Sequence, residues 1–232
     1  SDLVYLVKIP YCLRVDQETS IYNKLLNSSS LANAPCTPKT LEILAQMSVL
    51  SRLKIPENSS VYSKMRIYNG ENLKEKDPKA KSLQEYKDTA GVNEGMNGIS
   101  PRFAYKVLAK VFNYDEEEIG ANPVNLLRVL EEAIVNEQHP KEVEETYINF
   151  LNEHIKVKYA EFIGKEIQIA YMESYSEYGQ NMFDKYIDYA DHWLQDRDYK
   201  DAETGEMYHR EILDSELEKI EKPAFISHPK DF

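Results

Sequence analysis

The chain has 232 residues, with 28 Lys+Arg against 40 Asp+Glu and a formal net charge of −12. Hydrophobic residues make up 42% and charged residues 29%, which excludes wholesale disorder, and no apolar run approaches the roughly 20 residues of a membrane span. Only 8 glycines and 10 prolines argue against a turn-rich β barrel and against a protein built around glycine phosphate loops.

The chain opens Ser1-Asp2-Leu3 with no Met, which reads as a cut inside a longer protein or a processed start. Leu3 to Ile9 is short, β-branched and aromatic, ends at Pro10, and predicts one N-terminal strand. A lone strand is unstable, so its sheet partners are expected outside these residues. Asp16 is expected to cap a helix to about Asn27, with Ile21, Tyr22, Leu25 and Leu26 on one face. Thr37-Pro38 opens a second helix through Leu41, Leu44, Ala45 and Ser48, which Pro56 stops.

Residues 54–78 read as a long polar connection with a turn at Asn69-Gly70. A short helix follows over Ala80 to Asp88. Gly91, Gly95 and Gly98 then read as a flexible approach to Ser100-Pro101-Arg102, which starts a helix ending at Phe112. Asn122-Pro123 and Pro140 open two more helices. The longest pattern is Tyr159, Ile163, Ile167, Tyr171, Tyr175, Tyr178, Met182, Tyr186, Tyr189 and Trp193. Steps of three and four put these side chains on one face of one helix, expected to be core or a helix–helix interface. Asp201 to Gly205 predicts a turn, and Arg210 to Lys222 a last helix ended by Pro223. The expected fold is therefore mainly α.

Residues 1–113 carry 16 Lys+Arg against 11 Asp+Glu, whereas residues 114–232 carry 12 against 29. That step in charge predicts two subdomains, 1–117 and 118–232, joined near residues 113–122. An acidic second half repels nucleic acid, so no nucleic-acid partner is expected. Two cysteines, Cys12 and Cys36, do not make a disulfide framework and read as small buried side chains in a reducing cytoplasm.

Most site chemistry fails on inspection. There is no G-x-x-x-x-G-K-[ST] loop, no H-R-D or D-F-G, and no C-x-x-C. Asp196, Asp198, Asp201, Glu203 and Glu206 miss the EF-hand pattern, because Asp201 and Met207 stand where Gly and Glu are required. Glu206 and His209 give one Glu-x-x-His, where a di-iron bundle needs two. Asp188 and His192 read as a surface pair, and no metal site or catalytic residue is assigned. Arg102 is different. Ser100 is a good N-cap and Pro101 suits the first helical position, so Arg102 places a cation at the positive end of a helix dipole. A phosphate or carboxylate bound there reverses that unfavourable sign. The alternative is a salt bridge to Glu94 or another acid.

Val7-Lys-Ile-Pro-Tyr-Cys-Leu-Arg-Val15, Pro56-Glu-Asn-Ser-Ser-Val-Tyr-Ser-Lys-Met-Arg66 and Gly98-Ile-Ser-Pro-Arg-Phe-Ala-Tyr-Lys106 resemble the PrkA family of bacterial serine protein kinases. So do Lys158 to Ile167, Glu173 to Gln180, and the ending through Pro229-Lys-Asp-Phe232. The resemblance covers essentially the whole chain. It implies the end of an AAA+ ATPase core, a helical lid over residues 16–113, and a C-terminal helical region described as kinase-like. It further implies that Arg102 is a sensor-2 arginine touching the terminal phosphates of ATP. The Walker loop and the Mg²⁺ ligands are not in these 232 residues, so ATP and Mg²⁺ are expected to be held mainly by other parts of the parent protein. The expected activity is that of an ATP-dependent serine protein kinase acting on protein substrates. An AAA+ protease or remodeller, and a non-catalytic module binding a partner protein or a second subunit, remain open beside it.

Overall fold

The computed structural model describes residues 7–115, 119–202 and 204–224. It is mainly α, as the periodicities predict, and divides into two compact units, residues 1–160 and residues 161–232.

The first unit is built around α2 (Thr40–Arg52). Ten of its thirteen residues are buried, on every side, so it is the central helix of the core. Around it lie α1 (Val15–Asn27), α3 (Val61–Tyr68), α4 (Leu83–Ala90), α5 (Pro101–Phe112), α6 (Pro123–Asn136) and α7 (Lys141–Asn149). A π-helical segment, Phe150–Ile155, carries α7 into α8 (Lys156–Leu194). One apolar core runs from Tyr22 and Leu44 through Leu108 and Phe112 to Leu126, Leu130 and Ile155. The step in charge between residues 113 and 114 lies inside this unit, and the core continues across it from α5 into α6.

Helix starts follow the expected cap chemistry. The Ser100 hydroxyl accepts from the Phe103 amide, the Asn122 side chain from the Asn125 amide, and Ser82 with Glu85 forms a reciprocal capping box. Asp16 does not cap α1: Arg14 is the N-cap, and Asp16 in the first turn pairs with the Arg14 guanidinium at 2.6 Å.

The structure corrects three other readings, and a fourth lies mostly outside the described residues. Residues 54–78 are not all connection, because α3 forms within them behind the Ser60 cap. The expected strand Leu3–Ile9 falls mostly outside the described residues, and Val7–Ile9 are exposed coil. Neither cysteine is buried: Cys12 is half-buried, Cys36 is exposed, and both are free thiols. The stripe on α8 is buried only at Tyr189, while Ile167, Tyr171, Tyr175 and Tyr178 stand in solvent. Among the described residues no helix is long and apolar enough to cross a membrane.

The second unit contains α8 from Glu161 onward, a two-stranded antiparallel hairpin of β1 (Tyr199–Lys200) and β2 (Met207–Tyr208), and α9 (Arg210–Ala224). Its small core is Tyr189, Leu213 and Leu217, flanked by Tyr186, Trp193, Tyr199 and Tyr208. Two cross-links fix α9 against α8: Trp193 Nε1 donates to Asp214 Oδ1 at 2.8 Å, and the Tyr186 hydroxyl donates to Glu221 Oε1 at 3.1 Å. Burial in this cluster pushes the Tyr189 phenol up to about 12.

His154, in the π-helical segment, stacks on Tyr62 with ring centroids 5.6 Å apart, and its partial burial lowers its pKa from 6.5. The unfolded chain therefore takes up the proton first. The stability that neutral His154 contributes is full above pH 6.5 and is lost as the pH drops through the folded value. Melting temperatures followed downward from neutral pH will show this loss, and His154→Phe will flatten it. An identical pH profile in the variant would remove the assignment.

Candidate functional site

Arg102 is the residue the sequence singles out, and its surroundings are set by the end of α2. Arg52, the last residue of α2, is buried with its guanidinium fully enclosed. Its Nη2 lies 2.6 Å from Glu18 Oε1, and both side chains are shielded from solvent. Nη1 donates to the main-chain oxygen of Cys12 at 2.8 Å, and Nε and Nη2 donate to that of Ile99 at 2.9 and 2.7 Å. The Ile99 amide in turn donates to Ser51 Oγ at 2.8 Å. Both main-chain polar groups of Ile99 are thus held by the end of α2, immediately before the Ser100-Pro101-Arg102 helix start.

Gly98 makes this approach possible. It has φ +111°, and a Cβ there would lie 2.7 Å from the main-chain oxygen of Ser51. Gly95 is similarly confined, donating to the Arg52 oxygen at 3.2 Å and accepting from the Tyr11 amide at 2.8 Å. These glycines are close-packing positions rather than a flexible approach.

A second buried cation secures the same loop. Lys64 of α3 pairs with Glu94 Oε1 and donates to the Lys54 oxygen, while the Tyr68 hydroxyl donates to Glu94 Oε2. The desolvated Tyr68 phenol beside that carboxylate is held well above its ordinary pKa. Glu94 also accepts from the Lys54 amide at 2.9 Å. Glu94 is therefore committed, and the alternative salt bridge from Arg102 to Glu94 does not form.

Arg102 itself is exposed, and among the described residues its side chain makes no ion pair or hydrogen bond. No acid sits in the first turn of α5. Pro101 has no N–H, the Phe103 amide is bound by Ser100 Oγ, and the Ala104 amide by the Ser100 oxygen. Anion affinity at this helix start therefore rests on the guanidinium and the Arg102 amide, with less help from free amides than the sequence implies. The site is an exposed cation on a rigidly mounted helix start.

The other sequence candidates resolve into structure. Asp196 pairs with Arg210 at 2.6 Å, and Asp198 lies 2.9 Å from His209 Nδ1. Asp201 is buried in the hairpin turn, where Oδ1 accepts from the Thr204 amide. His192 Nδ1 sits 2.8 Å from the main-chain oxygen of Asp188, not from its carboxylate. No cluster able to hold a metal ion occurs among the described residues.

Comparison with protein-family models matches residues 1–60 to the PrkA AAA domain and residues 62–232 to the PrkA serine protein kinase C-terminal domain. The chain belongs to the PrkA family. Over its whole length it is 64% identical to the serine/threonine kinase YeaG of Escherichia coli K12, of which it spans 36%. It is 33% identical over 88% of its length to the ATP-dependent protease PrkA of Bacillus subtilis, of which it spans 32%. The chain thus covers about a third of the length of these curated relatives. No solved structure matches. In this PrkA chain Arg102 lies in the stretch matched by the C-terminal model, yet Arg52 and Glu18, from the AAA match, hold its helix start in one core.

Arg52→Ala leaves the Glu18 carboxylate buried without its cation and frees the Ile99 oxygen. A loss of about 3–5 kcal/mol is expected in urea unfolding, with faster amide exchange at Ile99. A stability within about 1 kcal/mol of the wild type would show that the pair does not organise this core.

Proposed function

We propose that this chain is the C-terminal portion of an ATP-dependent serine protein kinase of the PrkA type, and that Arg102 contributes a phosphate contact to its nucleotide site. The observation that carries the reading is the exposed Arg102 guanidinium, unpaired among the described residues, on a helix start held by buried bonds to Ile99. An arginine left without an acid among the described residues, on a mount this well determined, suits a ligand oxygen supplied from outside the unit. Residues 1–117 act in this reading as the end of the ATPase core and its lid. Val7 and Ile9, 76% and 81% exposed, are the apolar residues expected to join the sheet of that core.

The residues present fit one part of an ATP site and not the rest. They offer a cation for a terminal phosphate. The phosphate loop and the acids for Mg²⁺ are not in this sequence, so ATP and Mg²⁺ are held mainly by other parts of the parent protein. Phosphoryl transfer needs both, and the chain supplies positioning and charge rather than the whole site.

A second reading has its own support, because the relative from Bacillus subtilis carries the name of an ATP-dependent protease. Both readings use the same arginine. They differ in what ATP turnover drives.

In the full-length protein Arg102→Ala is expected to lower ATP turnover roughly tenfold to a hundredfold, the cost of one charge-assisted bond of about 1.5–3 kcal/mol. Arg102→Lys should recover part of that loss. Unchanged kinetics in Arg102→Ala would remove the site assignment. Casein incubated with the full-length protein and labelled ATP separates the activities: incorporated phosphate supports the kinase, and ATP-dependent fragments support the protease.

A further inference from the structure

The second unit has a surface that neither its core nor the nucleotide reading uses. Between α8, the hairpin and α9 lies a groove of about 630 Å³. Tyr178, Met182, Tyr199 and Ile220 are the large apolar side chains of its lining, which Asp184, Asp188 and Lys185 share. Beyond the groove, α8 continues the same face through Tyr175, Tyr171 and Ile167, which are 67%, 70% and 63% exposed. These residues are in line with Tyr186 and Tyr189, which α9 and the hairpin do cover. A face that is core at one end and bare at the other is an incomplete helix-packing surface.

Charge indicates what completes it. Residues 161–232 hold 18 Asp+Glu against 8 Lys+Arg. In the groove itself Asp184, Asp188 and Asp201 stand with one cation, Lys185. An acidic segment is repelled by this excess of acid. A second copy of the unit carries the same excess and is disfavoured with it. A basic segment is attracted from a distance and then buries its apolar side chains on the tyrosines.

We propose that this groove and the bare face of α8 form a docking surface for a basic amphipathic segment of a partner protein, with apolar side chains packing on Tyr178 and Met182 and Lys or Arg meeting Asp184 and Asp188. The chemistry is that of an apolar helix or strand face seated in a complementary groove, with charge setting orientation and selectivity.

The test uses the full 232-residue chain and a fluorescein-labelled peptide of Leu, Ala and Lys in amphipathic order, with its Glu-for-Lys counterpart as control, read by anisotropy. The Lys peptide is expected to bind, the Glu peptide not, and the affinity to fall as salt is raised. The double variant Asp184→Asn/Asp188→Asn should weaken binding about tenfold, and Met182→Lys should abolish it. Asp184 and Asp188 are exposed and Met182 is half-buried, and an unchanged melting curve shows that the unit remains folded. Equal binding of the two peptides overturns the proposal, as does wild-type affinity in the double variant. Peptide binding seen only after removal of residues 225–232 overturns it too, by assigning the groove to the chain's own tail. Mass that rises with concentration and falls to the monomer in the double variant, with no peptide bound, assigns the face to a second copy instead.

Discussion

The first unit depends on a guanidinium taken out of water. Arg52 meets the carboxylate of Glu18 and the main-chain oxygens of Cys12 and Ile99, so one side chain ties α1, α2, the segment before α1 and the segment before α5. Such a pair adds little net stability when both desolvation costs are counted, and Glu18 Oε2 has no hydrogen bond among the described residues. What it supplies is placement. Apolar contacts around α2 tolerate small slides and rotations, whereas a planar guanidinium fixed by four acceptor contacts does not.

The same logic explains how the sequence blocks that carry the family resemblance meet in space. Tyr11 and Cys12 come from the first block, and the Tyr11 ring lies 5.0 Å from the Arg52 guanidinium carbon. Lys64 comes from the second block and holds Glu94. Gly98, Ile99 and Ser100 come from the third. Scattered over the sequence, these residues meet around two buried cations. The network accounts for positions 52, 64, 94, 98 and 99 by packing and hydrogen bonding alone. Arg102 is left over: it lies in the third block, touches none of this machinery, and is mounted by it.

What the sequence disclosed follows from which interactions are local. Caps are local, so Ser100, Asn122 and the Asp201 turn could be read directly. Periodicity is local, so α5, α6 and α8 were legible as helices. Burial of a polar side chain is not local. Ser63 and Lys64 look like loop residues because their partners, Asp77 and Glu94, lie 14 and 30 residues away, and α3 was hidden for that reason. Arg52 was hidden in the same way, with partners 34 and 47 residues distant. Periodicity likewise identifies the aromatic face of α8 without saying which part of it is covered, since that depends on how far α9 reaches.

Arg102 and the α8 face show two ways in which a unit carries groups that its own fold does not satisfy. An exposed cation costs little to hold in water, so its lack of a partner among the described residues is meaningful only because its mount is over-determined. A row of exposed tyrosines is different, since each keeps a hydroxyl in water and an apolar ring beside it. Such residues tolerate solvent better than Phe or Leu and still retain area to bury. That balance suits a surface covered part of the time, whereas a permanently covered one gains more from the purely apolar side chains found at Leu213 and Leu217.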